Sequence, residues 1–543
     1  MMGLMQDRPL LISGLLDYAE RYHGDAEIVS RTCEGTVLRG NYRMLADRAR
    51  RMAQALQRLG VKAGDRVATL AWNTHRHMEL YFAVSGLGAV LHTVNPRLFQ
   101  DQIAYIVDHG GCNVLLFDIS FADLVAGLRP RLPQVTTFVA MTDADHMPAS
   151  VEGALCYDAL VAAEDGRFAW PQFDERSASS LCYTSGTTGN PKGVLYTHRS
   201  TVLHSFVVCQ ADGLQLSSKD STLLVVPLFH VNAWGVPYAS AMCGAKLVLP
   251  GPAPDPKTLF DLAVAEGCTF SLGVPTVWLG WFKYLDETAG LDLAALKLNR
   301  VVIGGSAAPR YVIERFQKQG VFVIHAWGMS ETSPLATVGN LLPRHAGLSP
   351  TEQVDVQVKQ GRAIFGVELR IVDDQGNELP HDGTVAGDLQ VRGPWVTAGY
   401  FRSEGGAVVG PDGWFSTGDV AKVFPDGFLQ LTDRSKDVIK SGGEWISSID
   451  LENAAMAHPA VQEAAVIGVA HPKWQERPLL LVVRKPGTDP RPEDILAALA
   501  ERVAKWWLPD EVVFVEELPH TATGKLQKVK LREQFRNHVL PGA

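Results

Sequence analysis

No Cys-x-x-Cys pair, no long basic run and no Gly-x4-Gly-Lys-Ser/Thr motif occurs in the 543 residues, and each absence removes a class of protein. The seven cysteines (Cys33, Cys112, Cys156, Cys182, Cys209, Cys243, Cys268) stand singly, and their odd number leaves no complete disulfide framework. Most lie in apolar contexts, as buried thiols do, which fits a reducing compartment. A net charge of −9 without a basic tract gives no footing to a nucleic-acid partner. The apolar patch Leu10–Leu16 is broken by Ser13-Gly14 and follows charged residues, so it reads neither as a signal peptide nor as a span. The expectation is a cytoplasmic protein with no integral membrane segment. The missing P-loop spacing excludes a Walker-type nucleotide site.

What is present begins with Tyr183–Gly193, Tyr-Thr-Ser-Gly-Thr-Thr-Gly-Asn-Pro-Lys-Gly. Four hydroxyls (Thr184, Ser185, Thr187, Thr188), the glycines Gly186, Gly189 and Gly193, and the ammonium of Lys192 share one loop. Glycine lets backbone N–H groups approach phosphate oxygens, and hydroxyls and lysine add donors, so the ligand this loop suits is a nucleoside triphosphate. A solvated linker has a similar composition. Apolar runs on both sides (Leu181–Tyr183 and Val194–Tyr196) instead read as strands flanking a tight turn.

At 543 residues the chain exceeds one hydrophobic core, so two or more domains are expected. Short β-rich runs alternate with amphipathic stretches through the first 330 residues: Arg66–Trp72, Ala89–Val94, Val114–Phe117, Leu223–Val226, Ala245–Leu249, Arg300–Ile303 and Val321–Ile324, with Tyr42–Leu59 and Ala308–Lys318 between them. That alternation predicts an α/β fold of mainly parallel sheets flanked by helices, with ligands at strand C-terminal ends. From about Gly361, Gly/Pro turns separate short alternating strands, which predicts a small β subdomain. Beyond a hinge at 433–436 the pattern is helix Ile449–Ala457, strands Val461–Val469 and Leu479–Val483, helix Pro492–Trp507, strand Val512–Glu516 and helix Lys528–Asn537. The predicted organisation is a large N-terminal domain (1–432) and a small mobile α+β domain (437–543).

Four further segments carry chemistry. In His325-Ala326-Trp327-Gly328-Met329-Ser330-Glu331 a strand-end aromatic can stack on a base, Ser330 can reach a phosphate, and Glu331 can hold magnesium. Asp419, behind the turn Ser416-Thr417-Gly418, can accept hydrogen bonds from two ribose hydroxyls, although a turn aspartate also caps its own backbone. Arg434 and Lys436 lie in Asp433–Lys436, and Lys525 lies on a Gly-containing loop, Thr521–Lys525, that a small domain can deliver to a reacting phosphate.

With these five segments in this order the chain resembles, over essentially its whole length, the adenylate-forming superfamily of acyl-CoA synthetases, luciferases and adenylation domains. Pro227–Trp234 (PLFHVNAW), Val302–Pro309 (VIGGSAAP) and Lys440–Leu451 (KSGGEWISSIDL) are most similar to bacterial medium- and long-chain fatty acyl-CoA synthetases. The resemblance implies ATP, Mg²⁺ and coenzyme A as cofactors, a fatty acid as substrate, and a homodimer. It implies a phosphate loop at Thr184–Lys192, and an adenine site of Gly305, Ser306, Ala307 and Trp327, where relatives commonly have tyrosine. Thr184 and Glu331 correspond to the magnesium site, Asp419 to the ribose ligand, Arg434 to a second nucleotide contact, Lys436 to the hinge and Lys525 to the adenylating lysine. Gly442, Gly443, Glu444 and Trp445, with Lys440 nearby, resemble the loop lining the pantetheine tunnel.

Acyl specificity is expected in Phe229–Tyr238, opposite Val274–Trp278, with His230, Val231, Trp234, Gly235 and Val274 facing the acid. His230 stands where amino-acid adenylation domains carry aspartate, so an ammonium finds no partner and an apolar acid is favoured. His230 itself can contact the acyl carboxylate or simply pack. The tryptophan matching Trp234 gates the acyl tunnel in related enzymes, and core packing is the other reading of it. In His471–Pro478, Lys473 or Arg477 is expected to meet CoA phosphates. The alternatives are a short-chain, methylthioalkanoate or aromatic acid–CoA ligase and, in a different class, a noncatalytic acyl or nucleotide sensor. The retained Glu331, Asp419, Lys436 and Lys525 speak against the sensor.

Overall fold

A computed structural model describes residues 3–184, 190–402, 407–434, 437–441, 444–521 and 526–541, and of 444 and 445 the backbone only. Helices form where apolar residues recur at helical spacing. Tyr42–Arg58 buries Leu45, Ala49, Met52 and Leu56 along one stripe, and its N-cap Asn41 accepts the Met44 N–H at 2.9 Å.

The strands assemble into three sheets. A seven-stranded sheet runs Leu155–Cys156, Thr137–Ala140, Val114–Phe117, Arg66–Leu70, Val90–Thr93, Ala178–Tyr183, Gly193–Thr197, all parallel except the last hairpin. The second sheet has thirteen strands. Its parallel half runs from Glu27–Arg31 through Lys246–Leu249, Ser221–Leu223, Phe270–Gly273 and Arg300–Ile303 to Phe322–Gly328. The β-rich stretch from about residue 361 joins it antiparallel through Leu335–Val338 and Gly361–Ala363, and ends at Phe415–Val423 and Phe428–Arg434 and their neighbours. One continuous apolar core includes residues of both sheets, with helix His75–Gly86 buried along its whole length. Charges on that buried helix are paired: Arg76 with Glu34 and Asp158, each at 2.7 Å, and Glu79 with Arg48 at 2.6 Å.

The third sheet, of five strands, has Val461–His471 antiparallel to Gln475–Arg484 and Glu511–Phe514 parallel to it, with Ile439–Ser441 and Glu444–Ile446 at the other edge. Helices Ser448–Met456 and Pro492–Ala500 cover one of its faces and Lys528–Gln534 packs in a separate apolar cluster.

Two expected elements stop early for identifiable reasons. The run Leu223–Val226 leaves the sheet after Leu223, because the Asn73 amide donates to the carbonyls of Leu224 (2.7 Å) and Val226 (2.9 Å) and its oxygen accepts the Leu228 N–H. The helix expected over Pro492–Trp507 ends at Ala500. Beyond it Lys505–Trp507 form only a short 3-10 turn, Arg477 donates to the carbonyls of Trp506 (2.8 Å) and Leu508 (2.9 Å), and Pro509 keeps Leu508 out of helical backbone.

Candidate active site

The two large sheets and the C-terminal segment enclose a cleft of about 970 Å³. Its first wall grows from the hairpin Ala178–Tyr183/Gly193–Thr197, closed at its open end by the Thr184 N–H donating to Lys192 O at 2.9 Å. Thr184, Asn190 and Lys192 line the cleft; Ser185, Gly186, Thr187, Thr188 and Gly189 lie outside the described residues. The Lys192 ammonium sits 4.8 Å from the centre of the Tyr400 ring, and the Tyr400 hydroxyl donates to Glu331 Oε1 at 2.8 Å. Burial pushes the Tyr400 phenol upward, so it serves as donor. A lysine, a tyrosine and a carboxylate thus stand in one chain facing the same space. Tyr400 was not foreseen, since a tyrosine in a glycine-containing loop carries no signal of its own; the backbone bond from Phe401 N to Gly193 O (2.8 Å) brings it here.

The second wall is the end of strand Phe322–Gly328 and the turn after it. Ala326, Trp327, Gly328, Met329, Ser330 and Glu331 all line the cleft. The Trp327 indole donates to Asp419 Oδ2 at 3.0 Å, and the Arg434 guanidinium meets Asp419 Oδ1 at 2.8 Å. Asp419 is only 3% exposed and does not itself line the cleft. Arg434 and Thr417 line the cleft beside it, and Tyr196 ties the turn by donating to Ser330 O at 2.7 Å.

His325, expected among the nucleotide contacts, is wholly buried and absent from the cleft wall. Its Nε2 accepts the Ala308 N–H at 3.2 Å and its Nδ1 faces Gln357 O at 3.2 Å, while burial lowers its pKa to about 4. The neutral ring therefore supports the 304–308 loop from behind. Of that loop Gly304 and Gly305 reach the cleft, whereas Ser306 and Ala307, expected at the adenine, do not line it.

The third wall is the segment His230–Gly235, and its backbone is unusual. Val231, Asn232, Ala233 and Trp234 have φ of 45°, 47°, 48° and 56°, and Gly235 follows at 77°. Left-handed backbone costs roughly 1–2 kcal/mol per non-glycine residue, so the surroundings must hold it. The buried Asn232 side chain does so, donating to Ser180 Oγ at 2.6 Å and accepting from the Cys182 thiol at 3.3 Å. The turn throws Trp234 against Gly304, where even a Cβ would stand 3.2 Å from the indole. His230, Val231 and Trp234 line the cleft together with Val274; Gly235 does not, being pressed on His204. Sequence reading offered no hint of a left-handed turn, because a β-branched residue such as Val231 opposes it.

The C-terminal segment roofs the cleft. Thr521 and Leu526–Lys530 line it, and the His520–Leu526 bridge brings the chain back on itself. Lys436, Gly442, Gly443 and Lys525 lie outside the described residues, as do the side chains of Glu444 and Trp445. Lys440 is exposed, its N–H donating to Glu476, and does not line this cleft. Arg477, one of the two cations expected at CoA phosphates, has partners of its own. It forms a bidentate pair with Asp510 (2.7–3.1 Å) and holds two carbonyls, so its donors are spent inside the C-terminal unit.

The cleft lining thus joins cationic and hydroxyl groups (Thr184, Lys192, Arg434) to apolar side chains (Leu214, Val225, Val231, Trp234, Val274 and Leu335). Such a space accepts a polyanion beside an apolar acyl group.

Comparison with known proteins is consistent with that division. Residues 16–401 match the family described as AMP-binding enzyme, and residues 450–525 match the AMP-binding enzyme C-terminal domain. A 3-methylmercaptopropionyl-CoA ligase of Ruegeria lacuscaerulensis is 52% identical over 99% of both chains. A medium-chain-fatty-acid–CoA ligase of Ectopseudomonas oleovorans is 49% identical over 99% of this chain and 98% of its own. Among solved structures, an anthranilate CoA ligase in complex with anthranoyl-AMP superposes with a TM-score of 0.86 at 26% identity, covering 98% of this chain and 99% of that one.

Proposed function

The chain belongs to the AMP-binding enzyme family and is an AMP-forming acid–CoA ligase, and from that premise we propose that its acid is a medium- to long-chain fatty acid. The observation that carries this reading is the apolar set Leu214, Val225, Val231, Trp234, Val274 and Leu335 in the lining of the cleft, which suits a hydrocarbon chain.

In the first half-reaction the fatty-acid carboxylate attacks the α-phosphorus of ATP and pyrophosphate leaves. Two anions approach each other, so donors must face the charge that develops on the α-phosphoryl group. Lys192 and the 184–189 loop hold the β- and γ-phosphates, and Lys525 attends the α-phosphate. Trp327 and Gly305 take the base, and Asp419, oriented by Trp327 and Arg434, takes the ribose hydroxyls. Thr184 and Glu331 would hold magnesium. Among the described residues no group of three or more His, Cys, Asp or Glu forms a metal cage. One carboxylate and one hydroxyl suit an ion that keeps waters and borrows phosphate oxygens. When bound, magnesium neutralises phosphate charge as pyrophosphate departs. In the second half-reaction the CoA thiol attacks the acyl carbon and AMP leaves, with the C-terminal unit turned about Lys436 to clear a path for pantetheine.

Asp419→Asn is expected to raise the KM for ATP about tenfold or more, since a charged hydrogen bond contributes roughly 1.5–3 kcal/mol, and to leave the KM for the acid unchanged. An equal rise in both would remove Asp419 from nucleotide binding.

A second reading has a specific observation behind it. Trp234 stands against Gly304 and lines the cleft, a place where a bulky indole suits a short acid, and a relative named 3-methylmercaptopropionyl-CoA ligase is 52% identical. CoA-dependent AMP release measured across straight-chain acids from C3 to C16 and 3-(methylthio)propionate separates the two. Burial of each methylene is worth about 0.8 kcal/mol, so kcat/KM should climb about fourfold per carbon as far as the cleft extends. A maximum at C3–C4 or at 3-(methylthio)propionate would transfer the protein to the second reading.

A further inference from the structure

The C-terminal unit meets the end of a large-sheet strand through a buried polar network that the mechanism above does not use. The Lys528 ammonium lies 2.8 Å from Glu452 and also donates to Ser448 Oγ. Ser448 in turn donates its N–H (2.9 Å) and its hydroxyl to Asp433 Oδ2. Asp433 sits at the end of strand Phe428–Arg434 of the large sheet, whereas Ser448 and Glu452 lie on helix Ser448–Met456 and Lys528 opens helix Lys528–Gln534. Beside them the Ser447 hydroxyl donates to Thr432 O at 2.5 Å, and Arg532 pairs with Asp437. Asp433, Ser448 and Lys528 are all buried, and Lys528 also lines the cleft. Burial alone would lower the Lys528 pKa; Glu452, Asp433 and Asp437 reverse the sign, so it stays protonated.

A buried ion pair is a poor way to gain stability, because the desolvation cost offsets the Coulombic gain. The contact that crosses to the large sheet, Ser448 on Asp433, suits a joint that must open: the Lys528–Glu452 pair travels with the C-terminal unit, and the Asp433 carboxylate recovers its hydration when Ser448 leaves it, whereas exposed apolar surface would favour reclosure. We propose that Lys528 is a positioning residue for acyl-adenylate formation: through Glu452, Ser448 and Asp433 it ties the C-terminal unit to the large sheet in the orientation that lays Leu526–Lys530 against the cleft. The inference rests on the ligase reading and its two half-reactions. The residue assigned there to the α-phosphate stands three positions before Lys528 in the chain, so a shift of this contact is felt where the phosphoryl group reacts.

The test measures each half-reaction separately in the full-length protein, with acid-dependent ATP–pyrophosphate exchange for the first and thioester formation from synthetic dodecanoyl-adenylate and CoA for the second. Lys528→Met is expected to lower exchange about 10–100-fold, the size of effect a misplacement near 1 Å produces, while thioester formation stays within about threefold. Lys528→Arg, which keeps the charge, should restore most of the exchange. Should the methionine variant fail to fold by circular dichroism, Asp433→Asn keeps the side-chain shape, removes one charge and must show the same one-sided loss, about three- to tenfold. Equal loss of both half-reactions in a folded variant, or no loss in either, overturns the proposal. Absence of exchange in the wild-type protein is a different failure, since it removes the ligase reading and this inference with it.

Discussion

Lys525→Ala should lose acyl-adenylate formation by on the order of 10²–10³-fold or more, and should still convert ready-made acyl-adenylate to acyl-CoA at close to the wild-type rate. The magnitude is that of deleting one preorganised donor aimed at a developing charge in a site that excludes water. The asymmetry follows from what each step demands. Joining a carboxylate to the α-phosphorus puts negative charge where two anions meet, and the ammonium of Lys525 is the cation proposed for that point. In the second step AMP is the leaving group and the nucleophile is a thiol that needs an open path, so the lysine is dispensable. Thr521 and Leu526, the described residues on either side of 522–525, both line the cleft. Pyrophosphate exchange reads the first step and thioester formation from added adenylate reads the second. Equal damage to both would refute the division of labour between the two orientations of the C-terminal unit.

Gly235→Ala should destabilise the protein by roughly 3–5 kcal/mol, while Gly14→Ala, a control of identical chemistry, should be neutral or slightly stabilising. Gly235 has φ of +77°, a conformation any other residue enters at a cost, and its added Cβ would lie 2.5 Å from the His204 ring. His204 cannot retreat freely. Its Nε2 accepts the Leu335 N–H at 3.2 Å in the interior, and moving it would orphan that donor. Gly14 has nothing within 4 Å of a new Cβ and sits on the exposed face of a helix, where alanine is the better helix former. The readout is the urea midpoint of each variant. Because Gly235 anchors the left-handed turn that aims Trp234, and Leu335 belongs to the apolar lining of the cleft, surviving activity of Gly235→Ala should also show a flattened chain-length profile. A midpoint equal to that of Gly14→Ala would mean that the turn is not the rigid support of the acyl wall.

Among the described residues Thr184, Asn190 and Lys192, Ala326–Glu331, Thr417, Arg434 and Thr521 line one cleft, so each of the five motif segments reaches it with some of its residues, and the reasons they were legible are local. Hydroxyls, glycines and a lysine between two apolar runs mark a phosphate loop at 183–193 without reference to the rest of the chain. The alternation of short β-branched runs with amphipathic stretches likewise predicts parallel sheets, which the pairing of Glu27–Arg31 through Phe322–Gly328 bears out. Motif membership, however, could not tell a wall residue from its support. His325 and Trp327 are two positions apart on one strand, and alternation alone would give them the same face. Only Trp327 reaches the cleft, with its edge on Asp419; His325 turns its ring to Ala308 and Gln357. Arg477 reads in sequence as an exposed cation near a CoA-binding loop, yet Asp510 and two carbonyls claim it.

Residue type and spacing by themselves determined the class of chemistry here: a polyanion loop, a strand-end aromatic with a following carboxylate, a ribose-type aspartate, a mobile lysine, and an α/β scaffold to carry them. Those are properties of short segments, since hydrogen-bonding capacity, charge and hydrophobic period belong to residues and their immediate neighbours. Tertiary structure alone decided which groups meet. Asp419 joins Trp327 from 92 positions away, Tyr400 joins Lys192 and Glu331, and Lys528 reaches Glu452 and Ser448. It also held four non-glycine residues at 231–234 in a backbone they do not prefer. Partner choice and tolerated strain follow from burial and packing summed over the whole fold, and no short window of sequence contains that sum.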